Sequence, residues 1–178
     1  WDNENTPPSA IDSFSEFTDI YDDMISLKRV LSSDVIQVIR RIEWIPPEKT
    51  TGGLGYIYDM YRHDYSLNSK SPFTNSSRLY DAKYYVINSE YKVYICIDNG
   101  SSGINTSGNA SQDEPLFTDL EPSKAGESGD GYIWKYLFTV SPSDIIKFDS
   151  TDYICVPTDW STSTDAQIQA IRDNGDSS

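Results

Sequence analysis

The sequence has little of what catalytic and metal-binding proteins need. Its 178 residues include one histidine, His63, and two cysteines, Cys96 and Cys155. A nucleophilic triad needs a base that can reach a nucleophile, and a zinc or iron site needs several histidine or cysteine ligands. His63 stands between Arg62 and Asp64, with no Gly-X-Ser-X-Gly elbow or cysteine close to it in the sequence. We therefore expect no catalytic residues, no metal site and no cofactor site.

Positive charge is also scarce. The chain has 14 lysines and arginines against 28 aspartates and glutamates, which gives a net charge of −14. Such a surface repels phosphate, which argues against nucleic acid and anionic membrane surfaces as partners and leaves a basic protein partner open. No segment approaches the roughly 18 consecutive apolar residues of a membrane span, and no signal peptide is visible. The composition therefore predicts neither nucleic-acid binding nor membrane insertion.

Two short motifs are incomplete. Gly52–Gly55 contains three glycines but lacks the following Lys-Ser or Lys-Thr of a phosphate-binding loop. Gln112–Glu114 could bind a hard cation only weakly, because the spacing of a calcium loop is lacking.

With 28 acidic residues, the sequence cannot show whether two carboxylates form a glycosidase pair. A hydrolase with paired carboxylates therefore stays an open alternative.

Both cysteines lie in apolar, β-branched runs. Cys96 is within Val93–Ile97, and Cys155 is within Tyr153–Val156. A buried free cysteine behaves as a small hydrophobic residue. The pattern therefore predicts two reduced thiols in the core rather than a disulfide.

The first part of the chain has one clear helical pattern. Residues 1–13 contain Thr-Pro-Pro-Ser and predict an extended arm. Residues 14–29 predict a helix, with Ser13 and Glu16 as a capping box. Its apolar stripe has a period of 3.6 residues and consists of Phe14, Phe17, Ile20, Tyr21, Met24 and Ile25. Residues 33–42 fit either a short helix capped by Ser33 or a strand.

Strand patterns dominate residues 80–160. Residues 84–97 predict a hairpin, residues 132–140 a longer strand, and residues 153–156 another strand. Ser141 and Pro142 predict the start of a short helix. The fold class predicted is mainly β (α+β), with an antiparallel β-sandwich-like core and a few flanking helices.

One structural domain over residues 1–178 is the expected organisation, and residues 161–178 form a polar tail. Because the chain starts at Trp1 rather than methionine, we expect it to be an excerpt of a longer polypeptide.

The strand over residues 132–140 allows two interpretations. Alternation places Tyr132, Trp134, Tyr136, Phe138 and Val140 on one face. The same alternation is what a sandwich core requires and what an exposed sugar-stacking platform would show. The two interpretations differ in whether these rings are buried.

Several blocks of sequence together resemble a known family. They are Trp1–Pro8 with Ile11–Ser13, Val38–Trp44, Tyr94–Asp98, Gly129–Phe138 and Asp152–Pro157. Their order and spacing resemble the central part of the baseplate wedge proteins of contractile-tailed, T-even-like bacteriophages, the products of gene eight. The blocks cover most of residues 1–160.

This resemblance implies a mainly β structural protein without catalysis, located in the tail baseplate of the virion and assembled in the host cytoplasm. It also implies contacts with other wedge proteins and a homodimer in the full-length context. The alternative function is a glycan-binding module that uses exposed aromatics for host attachment.

A structural protein of this kind should make its contacts through loops and chain arms. The proline-containing arm and the polar loop over residues 98–128 fit this expectation, and residues 102–112 should be removable with little loss of folding. The candidate contact residues are Trp1, Pro7, Pro8, Ile104, Asn105, Asp113 and Glu114.

Overall fold

The computed structural model describes part of the chain: residue 26 and residues 29–62, 76–119 and 121–157. The chain divides into two compact units, Trp1–Val35 and Ile36–Ser178. The predicted arm, nearly all of the predicted helix over residues 14–29 and the polar tail lie outside the described residues. The described part of the first unit contains a 3₁₀ turn, Ser32–Asp34, in which the Asp34 carboxylate accepts a hydrogen bond from the Leu31 amide at 3.0 Å.

Strands dominate the described part of the second unit. The elements are β1 (Gln37–Arg40), β2 (Tyr85–Ile87), β3 (Lys92–Asn99), β4 (Tyr132–Thr139), α1 (Pro142–Phe148) and β5 (Tyr153–Val156). Two 3₁₀ turns, Pro47–Lys49 and Thr51–Gly53, lie between β1 and β2. The predicted mainly β fold with few helices is confirmed.

The strands form two antiparallel sheets. One has the order β2-β3-β4, and the other pairs β1 with β5. In the second sheet Gln37 lies opposite Val156 and Arg40 lies opposite Tyr153. Of the two interpretations of residues 33–42, the strand is therefore correct for Gln37–Arg40.

Two β-bulges interrupt the pairing of β3 with β4. The register shifts between Val93 and Tyr94, and again between Cys96 and Asp98. A bulge adds one unpaired residue and changes which face the following side chains point to. At the second shift Ile97 has no partner on β4, which explains why β3 exposes Ile97 and Asp98 in succession. Val93 and Tyr94 are both buried because they pack in different hydrophobic clusters.

The alternation predicted for β4 is present and points into the core. Tyr132, Trp134, Tyr136 and Phe138 are buried, while the residues between them are only partly buried. They belong to an aromatic cluster formed by the larger sheet and the segment that follows β1, and to a second cluster that includes β5. The first cluster consists of Ile42, Trp44, Tyr58, Val86, Tyr94, Cys96, Tyr132, Trp134 and Tyr136, and the second of Ile87, Val93, Phe138, Val140, Ile154 and Cys155.

The second cluster joins the two sheets. Ile154 and Cys155 from β5 pack with Val93 and Phe138 from the larger sheet. The helix α1 precedes β5 and begins as predicted, because the Ser141 hydroxyl accepts a hydrogen bond from the amide of residue 144 at 3.1 Å. Pro142 occupies the first helical position, where its missing N–H leaves no hydrogen bond unmade.

Replacing Trp134 with alanine should test the aromatic cluster. Trp134 is fully buried, and its Nε1 has no hydrogen-bond partner among the described residues, so the change removes packing alone. We expect the free energy of unfolding to fall by about 3–5 kcal/mol in chemical denaturation. The control is Ile146→Ala, since Ile146 is 85% exposed and should lose less than about 0.5 kcal/mol. Equal losses in the two variants would show that Trp134 is not in the core.

Candidate partner-contact site

The chain between β3 and β4 is irregular, yet its inner part is bonded to the core. Asn99 at the end of β3 is fully buried and donates from Nδ2 to the Tyr58 carbonyl at 3.0 Å. Tyr132 at the start of β4 accepts from the Tyr58 amide at 2.9 Å and donates to the Asn109 carbonyl at 2.8 Å. The Asn109 amide in turn donates to the Asn99 carbonyl at 2.8 Å. These bonds fix the loop at both of its ends.

Ser111 ties the middle of this loop to the core. It is fully buried, and its hydroxyl accepts a hydrogen bond from Trp44 Nε1 at 3.0 Å. Its amide donates to the Tyr56 carbonyl at 2.9 Å. The structure therefore contradicts the prediction that residues 102–112 can be removed with little loss of folding, because the deletion leaves the buried Trp44 donor without an acceptor.

Gly108 shows how closely the loop approaches the core. Its φ is +86°, and a Cβ at this position would lie 2.4 Å from Asn99 Nδ2. Gly53 also has a positive φ, +68°, but a Cβ there would meet no atom within 4 Å. The two glycines therefore separate the cost of close packing from the cost of the backbone conformation alone.

The outer part of the loop presents one of the predicted contact residues. Ile104 is 100% exposed and lies in a turn closed by two bonds between Ser102 and Asn105. The Ser102 amide donates to the Asn105 carbonyl at 2.9 Å, and the Asn105 amide donates to the Ser102 hydroxyl at 3.0 Å. The Asn105 side chain binds inward, to Gly108 and Asn109, so this predicted contact residue shapes the turn.

The two acidic contact candidates bind other parts of the chain. Asp113 accepts a hydrogen bond from the Ser128 amide at 2.9 Å, and Glu114 accepts one from the Ser89 amide at 2.7 Å. These bonds hold the segment that leads into β4 and the turn between β2 and β3. Neither bond connects Asp113 or Glu114 with the turn that carries Ile104.

Some candidates cannot be placed. Trp1, Pro7, Pro8 and His63 lie outside the described residues. Within the part of the chain that the structure describes, no group of three or more histidine, cysteine, aspartate or glutamate side chains is arranged to hold a metal ion. No helix in the same part is long and apolar enough to cross a membrane.

The aromatic face of β4 is not a sugar-stacking platform. Tyr132, Trp134 and Tyr136 are at most 4% exposed. The Tyr132 and Trp134 rings stack on each other with centroids 5.3 Å apart inside the core. The alternative of a glycan-binding module built on these exposed aromatics is therefore wrong, because sugar cannot reach them.

Both cysteines are free, buried thiols, as the sequence predicted. Burial raises the pKa of Cys96 well above its ordinary value, and nearby Asp98 adds to the effect. Burial likewise raises the pKa of Cys155, with a further contribution from Asp144. Neutral thiols with raised pKa values are poor nucleophiles. The two cysteines therefore serve packing rather than reaction.

A groove that the sequence did not predict lies where the end of β1, the start of β5 and the segment before β2 meet. Its volume is about 820 Å³. Leu79, Tyr80 and Tyr153 line it and are 58%, 78% and 52% exposed. Arg40 lies with its guanidinium carbon 5.7 Å from the centre of the Tyr80 ring. In the sequence, the apolar Leu79–Tyr80 pair beside a polar loop was a signal of this groove. The groove is complete only when β1 pairs with β5, which lies far away in the sequence.

The described residues define a class before any relative is considered. The aromatic side chains and thiols are used for packing, and the features left on the surface are an apolar turn and a groove. Exposed apolar features of this kind favour a class of protein that works through surface contacts.

Comparisons with known proteins support this class and specify it. A family model described as bacteriophage T4 Gp8 matches residues 95–174. The chain is also 26% identical to the baseplate wedge protein gp8 of Enterobacteria phage T4 over 178 aligned positions, which cover 87% of this chain and 48% of that protein. The chain thus spans about half the length of the curated relative it matches. No solved structure matches it.

The resemblance noted in the sequence blocks is thereby confirmed. Over most of its own length, this chain is similar to part of the T4 baseplate wedge protein. This similarity supports a structural component of a bacteriophage virion with a place in the tail baseplate.

Substituting the two glycines should measure how closely the loop packs. Gly53→Ala should cost about 1–2 kcal/mol, the strain of an L-residue at positive φ. Gly108→Ala should cost about 2–4 kcal/mol in all, because its Cβ also overlaps the Asn99 amide. Urea denaturation of both variants measures the difference. Equal losses would mean that the loop does not lie against Asn99.

The thiols should be silent in the folded protein. A thiol reagent should react slowly with the native protein and should find both cysteines after denaturation without reductant. Because folding raises both thiol pKa values above the ordinary 9.0, this contribution to stability is fully present below about pH 9 and falls as the pH rises above it. Detection of no thiol after denaturation would indicate a disulfide instead.

Proposed function

We propose that this chain is a non-enzymatic structural part of a contractile-tailed phage baseplate and that it acts through contacts with other baseplate proteins. The observation that carries the proposal is its 26% identity to the T4 baseplate wedge protein over 87% of its own length. The alignment covers nearly half of that relative. The proposal therefore concerns only the baseplate contacts that this part of the protein makes.

The geometry supports a role through surface contacts. The aromatic clusters are closed to solvent, so recognition must use what remains outside them. Ile104 is the most exposed large apolar side chain among the described residues and stands on a turn held by four hydrogen bonds that involve Ser102 or Asn105. A rigid turn loses little conformational entropy when it binds a partner. We therefore place a partner contact at Ile104.

The remaining contacts of the proposal follow from charge and from the resemblance. With a net charge of −14, the general surface should attract proteins that present lysine or arginine. The same charge opposes nucleic acid as a partner, and we propose neither nucleic-acid binding nor membrane insertion. Trp1, Pro7, Pro8, Asp113 and Glu114 stay candidate contacts, and a homodimer of the full-length protein stays a proposal that light scattering can test.

The proposal can be tested in the phage that encodes the full-length protein. Loss of the gene should leave tails without complete baseplates in negative-stain electron micrographs, and a plasmid copy should restore them. Intact baseplates on particles that lack the protein would contradict the proposal.

The contact at Ile104 can be tested by complementation with matched variants. Ile104→Asp should reduce the yield of complete baseplates at least about tenfold, since a buried unpaired carboxylate at an interface costs several kcal/mol. Ile146→Asp is the matched control, because Ile146 is 85% exposed on α1. Both variants should melt at the temperature of the unmodified protein. Equal yields from the two would remove Ile104 from the interface.

A further inference from the structure

The groove lined by Leu79, Tyr80 and Tyr153 is separate from the proposed contact at Ile104, which is not among its lining residues. Ile39–Ile42 form part of its lining, and its volume is about 820 Å³. A second cavity of about 260 Å³ adjoins it, because Arg40, Ile42 and Thr151 line part of both. The two lie side by side on the surface and are together called the trough.

The walls of the trough are apolar and exposed. Leu79, Tyr80 and Tyr153 are each more than half exposed, although they lie beside one another. Clustered apolar side chains of this size on a soluble protein mark contact surfaces more often than isolated ones do. The trough therefore has apolar surface that a partner can cover.

The charge of the trough differs from that of the whole chain. Its lining contains three cations, Arg40, Arg41 and Lys83, and two carboxylates, Glu43 and Asp152. The chain as a whole carries −14. The lining therefore has one cation more than it has carboxylates, on a molecule that is acidic overall.

The three cations of the trough differ in whether they form ion pairs. Arg41 forms ion pairs with Glu43 at 2.8 Å and with Asp149 at 2.7 Å. Arg40 and Lys83 form no ion pair with any residue that the structure describes. Instead Arg40 donates to the Tyr80 carbonyl at 3.3 Å, and Lys83 bonds to the Tyr56 hydroxyl. These two cations can therefore accept an acidic group from outside.

We infer that the trough binds an extended acidic segment of another baseplate protein, in which carboxylates alternate with apolar side chains. The carboxylates contact Arg40 and Lys83, and the apolar side chains cover Leu79, Tyr80 and Tyr153. Beside apolar surface the lower local dielectric strengthens the attraction between arginine and carboxylate, and two parallel hydrogen bonds add to it. The inference deepens the proposed function, on which it rests, by assigning the chemistry of one partner. It is the opposite of the basic partner that the general surface favours.

A labelled peptide provides the test. The probe is a fluorescent peptide of about eight residues in which aspartate alternates with leucine or tyrosine, a length of roughly 26 Å when extended. Two sister peptides replace every aspartate with asparagine or with lysine. Fluorescence anisotropy with the full-length protein should show that the aspartate peptide binds at least about tenfold more tightly than the lysine peptide, with the preference weakened by salt.

Matched protein variants locate the binding. Arg40→Glu should weaken binding of the aspartate peptide about tenfold or more, whereas Lys147→Glu, an equal charge change on α1, should leave it unchanged. Tyr80→Ala should weaken the binding of the aspartate and asparagine peptides alike, because it removes apolar contact. Ile146→Ala should weaken the binding of neither peptide. Melting curves confirm that the variants are folded. Tight binding of the lysine or asparagine peptide, no binding of the aspartate peptide, or equal effects of Arg40→Glu and Lys147→Glu would overturn the inference.

The test also separates this inference from the function on which it rests. If the peptide assay fails while the gene is still needed for complete baseplates, only the acidic segment is refuted. If the peptide binds as expected while baseplates form without the protein, the proposed function is refuted and the trough remains a peptide site.

Discussion

Hydrogen bonds from buried polar side chains to irregular backbone hold the described fold together. The strands are short, and long stretches between them have no regular partner for their N–H and C=O groups. Tyr132, Asn99 and Ser111 provide partners inside the core, and a buried backbone group without one would cost about 1–3 kcal/mol. Tyrosine suits this role because its ring fills apolar space while its hydroxyl reaches a carbonyl or amide. The buried tyrosines Tyr58, Tyr94 and Tyr132 are therefore structural, whereas Tyr80 and Tyr153 stay exposed on the surface.

This use of the aromatic side chains determines where function can lie. Rings that stack inside the core, such as Tyr132 on Trp134, are lost to any ligand. The loop between β3 and β4 is divided by the same constraint: its inner part completes the core at Ser111, and its outer part presents Ile104. The outer turn and the trough beside Arg40 are where we propose contacts with partners among the described residues. On an acidic molecule, the cations Arg40 and Lys83, which form no ion pair with a described residue, would let the proposed subunit distinguish two kinds of neighbour by charge.

Features encoded over a few neighbouring residues could be predicted from the sequence. The alternation of β4, the cap at Ser141 and the hairpin of β2 with β3 each depend on side-chain periodicity or turn chemistry within a short stretch. The free thiols followed from the same reasoning, because Cys96 and Cys155 lie in runs that strands bury. The loop was misjudged for the converse reason. Its composition is that of an exposed loop, and nothing near Ser111 in the sequence indicates that Trp44 donates to it.

The sequence by itself determined the β class, which side chains share one face of the aromatic strand, the acidic surface and the resemblance to the baseplate wedge proteins. The structure decided that this face is buried. Only the tertiary structure decided that β1 pairs with β5 and that Arg40, Tyr80 and Tyr153 line one groove. It also decided that a bulge leaves Ile97 of β3 without a partner on β4. The physical reason is that periodicity records which side of a strand is buried, whereas strand partners depend on how distant segments fill a common volume. Surfaces assembled from distant segments are therefore visible only after the chain has folded.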